Sequence, residues 1–216
     1  MTGIDTITLA KGSHEDQDTC DNPERCLFEW YNWLAHAKHT DARPPAVSAV
    51  LHTFGMRLND ILPDDRRQDL KRFLPNGTDH LAGTEGDGKD EIRGYIALDW
   101  LIRTYTVAWL DLAGLADEAA ALQELEPIRH MEAAQAAGPA VRRARDKAVA
   151  AGDAARAAAR AAAWAAAGAA ARDAARDAAG AAAGDAARAE LAPTVTLLQA
   201  SAIELYDTLI TGEWPS

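Results

Sequence analysis

The chain has 216 residues and a formal net charge of −11, from 33 acidic against 22 basic residues. That length accommodates one domain with an extension or two small domains. An acid excess of this size argues against nucleic acid as a partner, since binding it requires a basic patch. Apolar residues make up 48% of the chain, but much of this is alanine, and the large side chains that can build a core cluster between Cys26 and Leu125.

Residues 1–22 read as an extended acidic arm whose apolar footholds are Ile4, Ile7 and Leu9. Such an arm is ordered only if it packs on another surface, that of a second subunit included. It lacks the basic start and apolar run of a signal peptide, so a cytoplasmic location is expected. Cys20 and Cys26 are too few for a disulfide framework and are expected to be free thiols.

A helical head is predicted over 23–138. Its first helix runs from Pro23 to His39 with Asn22 as N-cap. His36 and His39, three apart in the last turn, could hold a metal on one face or act as cations at the negative end of the helix dipole. No carboxylate or cysteine stands at a matching spacing, so the second reading is preferred and no metal or cofactor is predicted. A second helix, Pro45 to Ile61, carries Val47, Val50, Leu51, Phe54, Leu58 and Ile61 as an apolar stripe. A short charged helix follows through Leu74 and ends at Pro75-Asn-Gly. The glycine-rich stretch 75–89 reads as a solvated loop. Lys89 is followed by Asp90, not by Ser or Thr as in a phosphate-binding loop, and the acidic spacing does not match a calcium loop.

The fourth helix, Asp90 to Leu112, leaves almost no polar face, and a helix hydrophobic all round is expected to be buried. Asp99 and Arg103, spaced to pair, are the only charges between Gly94 and Leu110. They are the best candidates for a polar functional spot, with an internal structural bridge as the blander reading. The same stretch has 17 residues including those two charges, short and charged for a membrane span. A short helix over Asp117–Leu125, another from Pro127 to Ala137, and a break at Gly138-Pro139 complete the head.

An alanine tract then dominates the chain. From Gly152 to Ala187 it resolves into nine tetrads, and RAAARAAAWAAAGAAA (156–171) aligns with RDAARDAAGAAAGDAA (172–187), an internal repeat. No proline interrupts 140–192, so one continuous helix is expected over about 140–191. Four residues turn a helix by about 400°, so each tetrad drifts by about 40° and the Arg/Trp/Gly positions spiral round it. The tract therefore has no single apolar face, and its period differs from the seven-residue repeat of a coiled coil. Small residues let backbones approach closely, and Gly180 and Gly184 have the small-xxx-small spacing of close helix crossings. Trp164, Gly168, Gly180 and Gly184 are the predicted helix-contact positions. A solvated helix without a particular partner is the competing reading. Between Val141 and Leu191 nine basic residues face six acidic ones, a net of +3, leaving −14 on the remainder. After Pro193 a last amphipathic helix, Thr194 to Leu209, carries Val195, Leu198, Ala202, Leu205 and Leu209.

The blocks LPDDRRQDLKRFLP (62–75), GYIALDWLIRTYTVAWLDLAGL (94–115) and PTVTLLQASAIELYDTLI (193–210), with the tract between them, resemble a group of alanine-rich actinobacterial and phage-associated proteins. The resemblance implies an architecture and an origin, not an activity. Fish alanine-rich antifreeze helices are similar in composition but space threonines along one face, and this tract has none between Thr106 and Thr194.

The sequence thus predicts an all-α protein: arm 1–22, head 23–138, long helix 139–192 and terminal helix 193–216. The expected role is non-enzymatic assembly, with a second copy or another helical protein as partner and no membrane. The alternative is a small-molecule- or metal-binding protein, possibly an enzyme, with a pocket in the head near Asp99 and Arg103 and with Tyr31, Tyr105 or His36/His39 close by. Ice binding is a remote third.

Overall fold

A computed structural model describes residues 4–12, 24–37, 40–75, 80–166 and 172–214, with side-chain surroundings given for these except residues 5 and 154–188. The class is all-α, the only strands described being a two-residue pair. Contacts divide the chain into two units: residues 1–97 with 199–216, and residues 98–198.

In the first unit residues 4–12 of the N-terminal arm pack on their own chain. Strand β1, Thr8–Leu9, pairs in parallel with β2, Glu24–Arg25, and Ile7 and Leu9 are buried. The Gln68 amide donates to the Leu9 carbonyl at 2.9 Å and accepts from its N–H at 3.0 Å, standing in for a neighbouring strand. Trp30 Nε1 donates to the Thr8 carbonyl and Asn59 Nδ2 to that of Ala10. The Leu9 N–H and the carbonyls of Thr8, Leu9 and Ala10 thereby exchange water for a protein partner.

Helix α1 spans Leu27–Leu34, shorter than the predicted Pro23–His39 at both ends. Glu24 and Arg25 are held in the strand pair, and the Glu29 carboxylate accepts the Cys26 N–H at 2.7 Å, which makes Cys26 the N-cap instead of Asn22. At the other end Asn32 Nδ2 donates to the carbonyls of Thr40 and Ala42, and His36 adopts a left-handed φ of 58°, which a helix cannot continue through. Burial pushes the Cys26 thiol up to about 12.

Helix α2, Ala49–Ile61, starts at Ser48, whose hydroxyl accepts from the N–H groups of Val50 and Leu51. Its buried line is Leu51, Gly55, Leu58 and Asn59, rotated from the predicted stripe, and Ile61 is left 65% exposed. Gly55 explains the rotation. A Cβ there would lie 2.6 Å from Tyr206 Oη and 2.9 Å from a Phe28 ring carbon, so this face receives a ring from the far end of the chain. Helix α3, Asp64–Arg67, continues as a 3-10 turn over Gln68–Phe73. Helix α4, Asp90–Trp100, starts after a segment that is not simply solvated: Leu81 and Thr84 are buried.

In the second unit a π-helical turn, Leu101–Thr106, leads into α5, Val107–Leu112. The widened turn places Trp100 and Tyr105 at 5.5 Å and Tyr105 and Trp109 at 6.2 Å, ring centre to ring centre, and Thr106 Oγ1 donates to the Leu101 carbonyl five residues back. The run 90–112 is not buried all round as predicted. Arg93, Ile96, Val107 and Leu110 are buried, whereas Leu101 is 46% exposed. Helix α6, Ala116–Gln123, supplies Ala119 and Leu122 to a core with Val107, Leu110 and Ala144.

Helix α7, Met131–Ala166, passes through the predicted break at Gly138-Pro139. An interior proline costs about 3 kcal/mol through its lost N–H and ring clash, yet Ala137 and Ala144, two turns apart on one face, are both buried and hold the helix on either side of it. Helix α8, Arg172–Thr211, likewise runs through Pro193, so the predicted terminal helix is the end of a 40-residue one. Residues 167–171 of the tract lie outside the described residues.

The close approach at Gly55 yields a measurable expectation. Gly55→Ala should lower unfolding free energy by about 1–3 kcal/mol, the usual cost of overpacking, measured by urea denaturation. Cys26 yields another. In a Cys20→Ser protein no thiol should react with Ellman's reagent at pH 8 until denaturant is added, after which one should.

Candidate functional site

The most concentrated polar site lies in the first unit around Arg93, in the first turns of α4. Its side chain is fully buried. Asp87 is engaged side-on, with Nη1 to Oδ1 at 2.9 Å and Nη2 to Oδ2 at 2.6 Å, the two-point geometry a guanidinium fork favours. Nη1 also meets Asp90 Oδ1 at 2.9 Å, and Nε donates to the Leu209 carbonyl at 2.9 Å. That carbonyl is in the last turn of α8, where free carbonyls carry the negative end of the helix dipole. Lys89 Nζ donates to Thr211 at 2.7 Å, and Arg72 meets Asp207 and the Ile203 carbonyl. Three cations therefore hold the C-terminal end of α8.

Behind them, the Ser48 hydroxyl donates to Asp90, and the Ser48 N–H donates to Thr84 Oγ1, whose own hydroxyl donates to the Leu81 carbonyl. One network thus joins the start of α2, the 81–87 segment, the start of α4 and the end of α8. Burial disfavours the charge on Arg93, but its hydrogen bonds to Asp87 and Asp90 outweigh this and hold its pKa above the ordinary value. The same bonds hold the Asp87 carboxyl below the usual carboxylate range.

The predicted pair Asp99 and Arg103 is found together in the second unit, 3.4 Å apart and partly buried. Asp99 Oδ1 accepts the Ile128 N–H at 2.8 Å, and Arg103 Nη2 donates to the Gln123 carbonyl at 3.3 Å. Both residues thereby hold the connection from α6 to α7, and Arg103 Nε is buried without a partner. Tyr105 stands in the same unit, and Tyr31 and His36 belong to the other. His36 is exposed and beyond the end of α1, not in its last turn, and His39 lies outside the described residues. Among the described residues no group of three or more His, Cys, Asp or Glu could hold a metal ion.

Of the predicted helix contacts, Trp164 falls in α7 and Gly180 and Gly184 in α8, but their surroundings lie outside the described side chains, and Gly168 lies outside the described residues. Among the described residues no helix is long and apolar enough to cross a membrane. Comparison with family models, with curated proteins and with solved structures gave no match.

The sequence signal for Arg93 was a basic residue in the first turn of a helix, where the dipole disfavours a cation. A position that breaks the electrostatic rule needs compensating partners, and Asp87 and Asp90 lie within six residues of it.

Arg93→Met should destabilise the protein by about 1–3 kcal/mol, because it strands the buried Leu209 carbonyl without a donor. Asp87 contributes to the acid stability. Its folded pKa is depressed, so its contribution is full above the unfolded value of about 3.9 and is lost as pH falls through the lower folded one. Denaturation curves between pH 2 and 5 should therefore show a shallower acid limb for Asp87→Asn than for the wild type.

Proposed function

We propose that the protein is a non-enzymatic assembly component that self-associates through its alanine- and glycine-rich helices. The observation supporting this most directly is where those helices leave their own core. After Ala144, which is buried, every residue of α7 from Arg145 to Ala151 is exposed, and so is every residue of α8 from Ala189 to Pro193. Seven consecutive exposed residues are two full turns, so α7 there has no packed side. Helices of 36 and 40 residues correspond to about 54 and 60 Å of length at 1.5 Å per residue. Long helices in which small residues prevail present a surface that closely approaching backbones can use.

Val149, 55% exposed, and Leu191, 36% exposed, are the large apolar side chains on these two stretches. The partner of this reading is a second copy. The chain's mixed charge supports it, because the tract carries +3 and the remainder −14.

Sedimentation velocity over a hundredfold concentration range should show a reversible rise in mass. Val149→Glu with Leu191→Glu should reduce association at least several-fold while leaving the unfolding free energy within about 0.5 kcal/mol of wild type, as for surface changes. A wild-type protein that stays monomeric throughout would sink the proposal.

A further inference from the structure

We infer that the C-terminal end of α8, Gln199 to Thr211, is an exchangeable element, and that its seat on the first unit is a docking surface for the same segment of a second copy. This rests on the self-association reading and adds a second interface to the contact between alanine-rich helices: each copy closes the first unit of another.

The seat is filled by a segment remote in sequence. The first unit comprises residues 1–97 and 199–216, so 101 residues intervene before the segment that completes it. Tyr206, fully buried, is the centre of the contact. Its hydroxyl donates to the Leu51 carbonyl at 3.1 Å, its ring lies edge-on to Phe73 at 4.8 Å, and Gly55 is bare to admit it. Arg93, Lys89 and Arg72 then grip the helix end. None of these contacts depends on which chain supplies the helix, because an exchanged segment is identical and recreates every bond.

Leaving the seat empty is unfavourable. Without α8 the buried Arg93 Nε loses its carbonyl acceptor, and Phe73 and the Gly55 face lose their cover. A partner that supplies the missing segment is therefore bound strongly, whichever chain it comes from. A flexible tether gives the chain's own segment an effective concentration on the order of millimolar at short lengths, falling as the connection lengthens, so a second copy competes where chains are locally concentrated. Helix α8 also shows no break between its alanine-rich part and the docked end; Ala189 to Pro193 is exposed, and burial begins again at Leu198.

The test places one new cysteine on each of two chains. A Cβ at Gly212 would lie 3.2 Å from Lys89 Cβ, close to disulfide spacing. Lys89→Cys and Gly212→Cys are made in separate chains on a Cys20→Ser background, mixed in denaturant, refolded together and oxidised. A second pair, Arg72→Cys and Asp207→Cys, lies at an exposed ion pair and is joined with a short bismaleimide, which covers the case that position 212 does not tolerate a side chain.

Exchange predicts a covalent heterodimer of twice 23.0 kDa on non-reducing gels for each mixed pair, well above the level of either chain alone. If both double variants link within one chain and neither mixed pair links between chains, while wild type sediments as an oligomer, exchange is wrong and association through the alanine-rich helices stands. Absence of inter-chain links in both mixed pairs, together with a wild type that is monomeric, overturns both.

Discussion

The first unit depends on one buried guanidinium. Arg93 is out of contact with water, so its charge is stable only because two carboxylates and a helix-end carbonyl surround it. Lysine could not replace it, because a single ammonium does not span the two oxygens of Asp87 and the Leu209 carbonyl in one plane. The device occurs a second time. Arg67, also buried, donates to the carbonyls of Asn59 and Leu62 where α2 ends, and its Nη1 is balanced by Asp64. In both places an arginine, with a carboxylate three residues before it, closes the buried C-terminal end of another helix. The carbonyls left free at a helix C-terminus supply the negative partner.

What the sequence made legible follows the strength of its local signals. The all-α class came from apolar periodicity and from the absence of strand patterning, and Leu51 and Leu58 came from the α2 stripe. The stripe was misplaced by a fraction of a turn because periodicity counts large side chains, and here a glycine, Gly55, is the point of closest contact. The ends of α1 were misread because a strand pair and a glutamate cap lie outside the range of a helix-start rule. Pro139 and Pro193 were read as breaks from a local cost that buried neighbours, Ala137 and Ala144 at the first of them, offset only in the folded chain.

The candidate site shows the same division. Asp99 and Arg103 were visible because they interrupt an apolar run, and the structure does pair them, using their remaining groups to fix a connection. Arg93 was passed over because it sits one residue outside that run, among charges that resemble an ordinary solvated helix start. Its main acceptor in α8 is 116 residues away, and no window of local sequence contains both. The π-turn was hidden for a different reason: apolar content is the same whether Trp100 and Tyr105 are reached by a normal or a widened turn.

The seat of Tyr206 has a consequence for how the protein is made. Ribosomes add about 5–20 residues per second, so the 101 residues between the two parts of the first unit take about 5–20 s to synthesise. Throughout that interval the first 97 residues exist without the ring that covers Gly55 and without the carbonyl that Arg93 needs. The face exposed during translation is the face that binds α8, and on a polysome it is displayed by several nascent chains at once. Under the exchange proposed above, a seat left open during synthesis is one that the α8 segment of a neighbouring chain would fill.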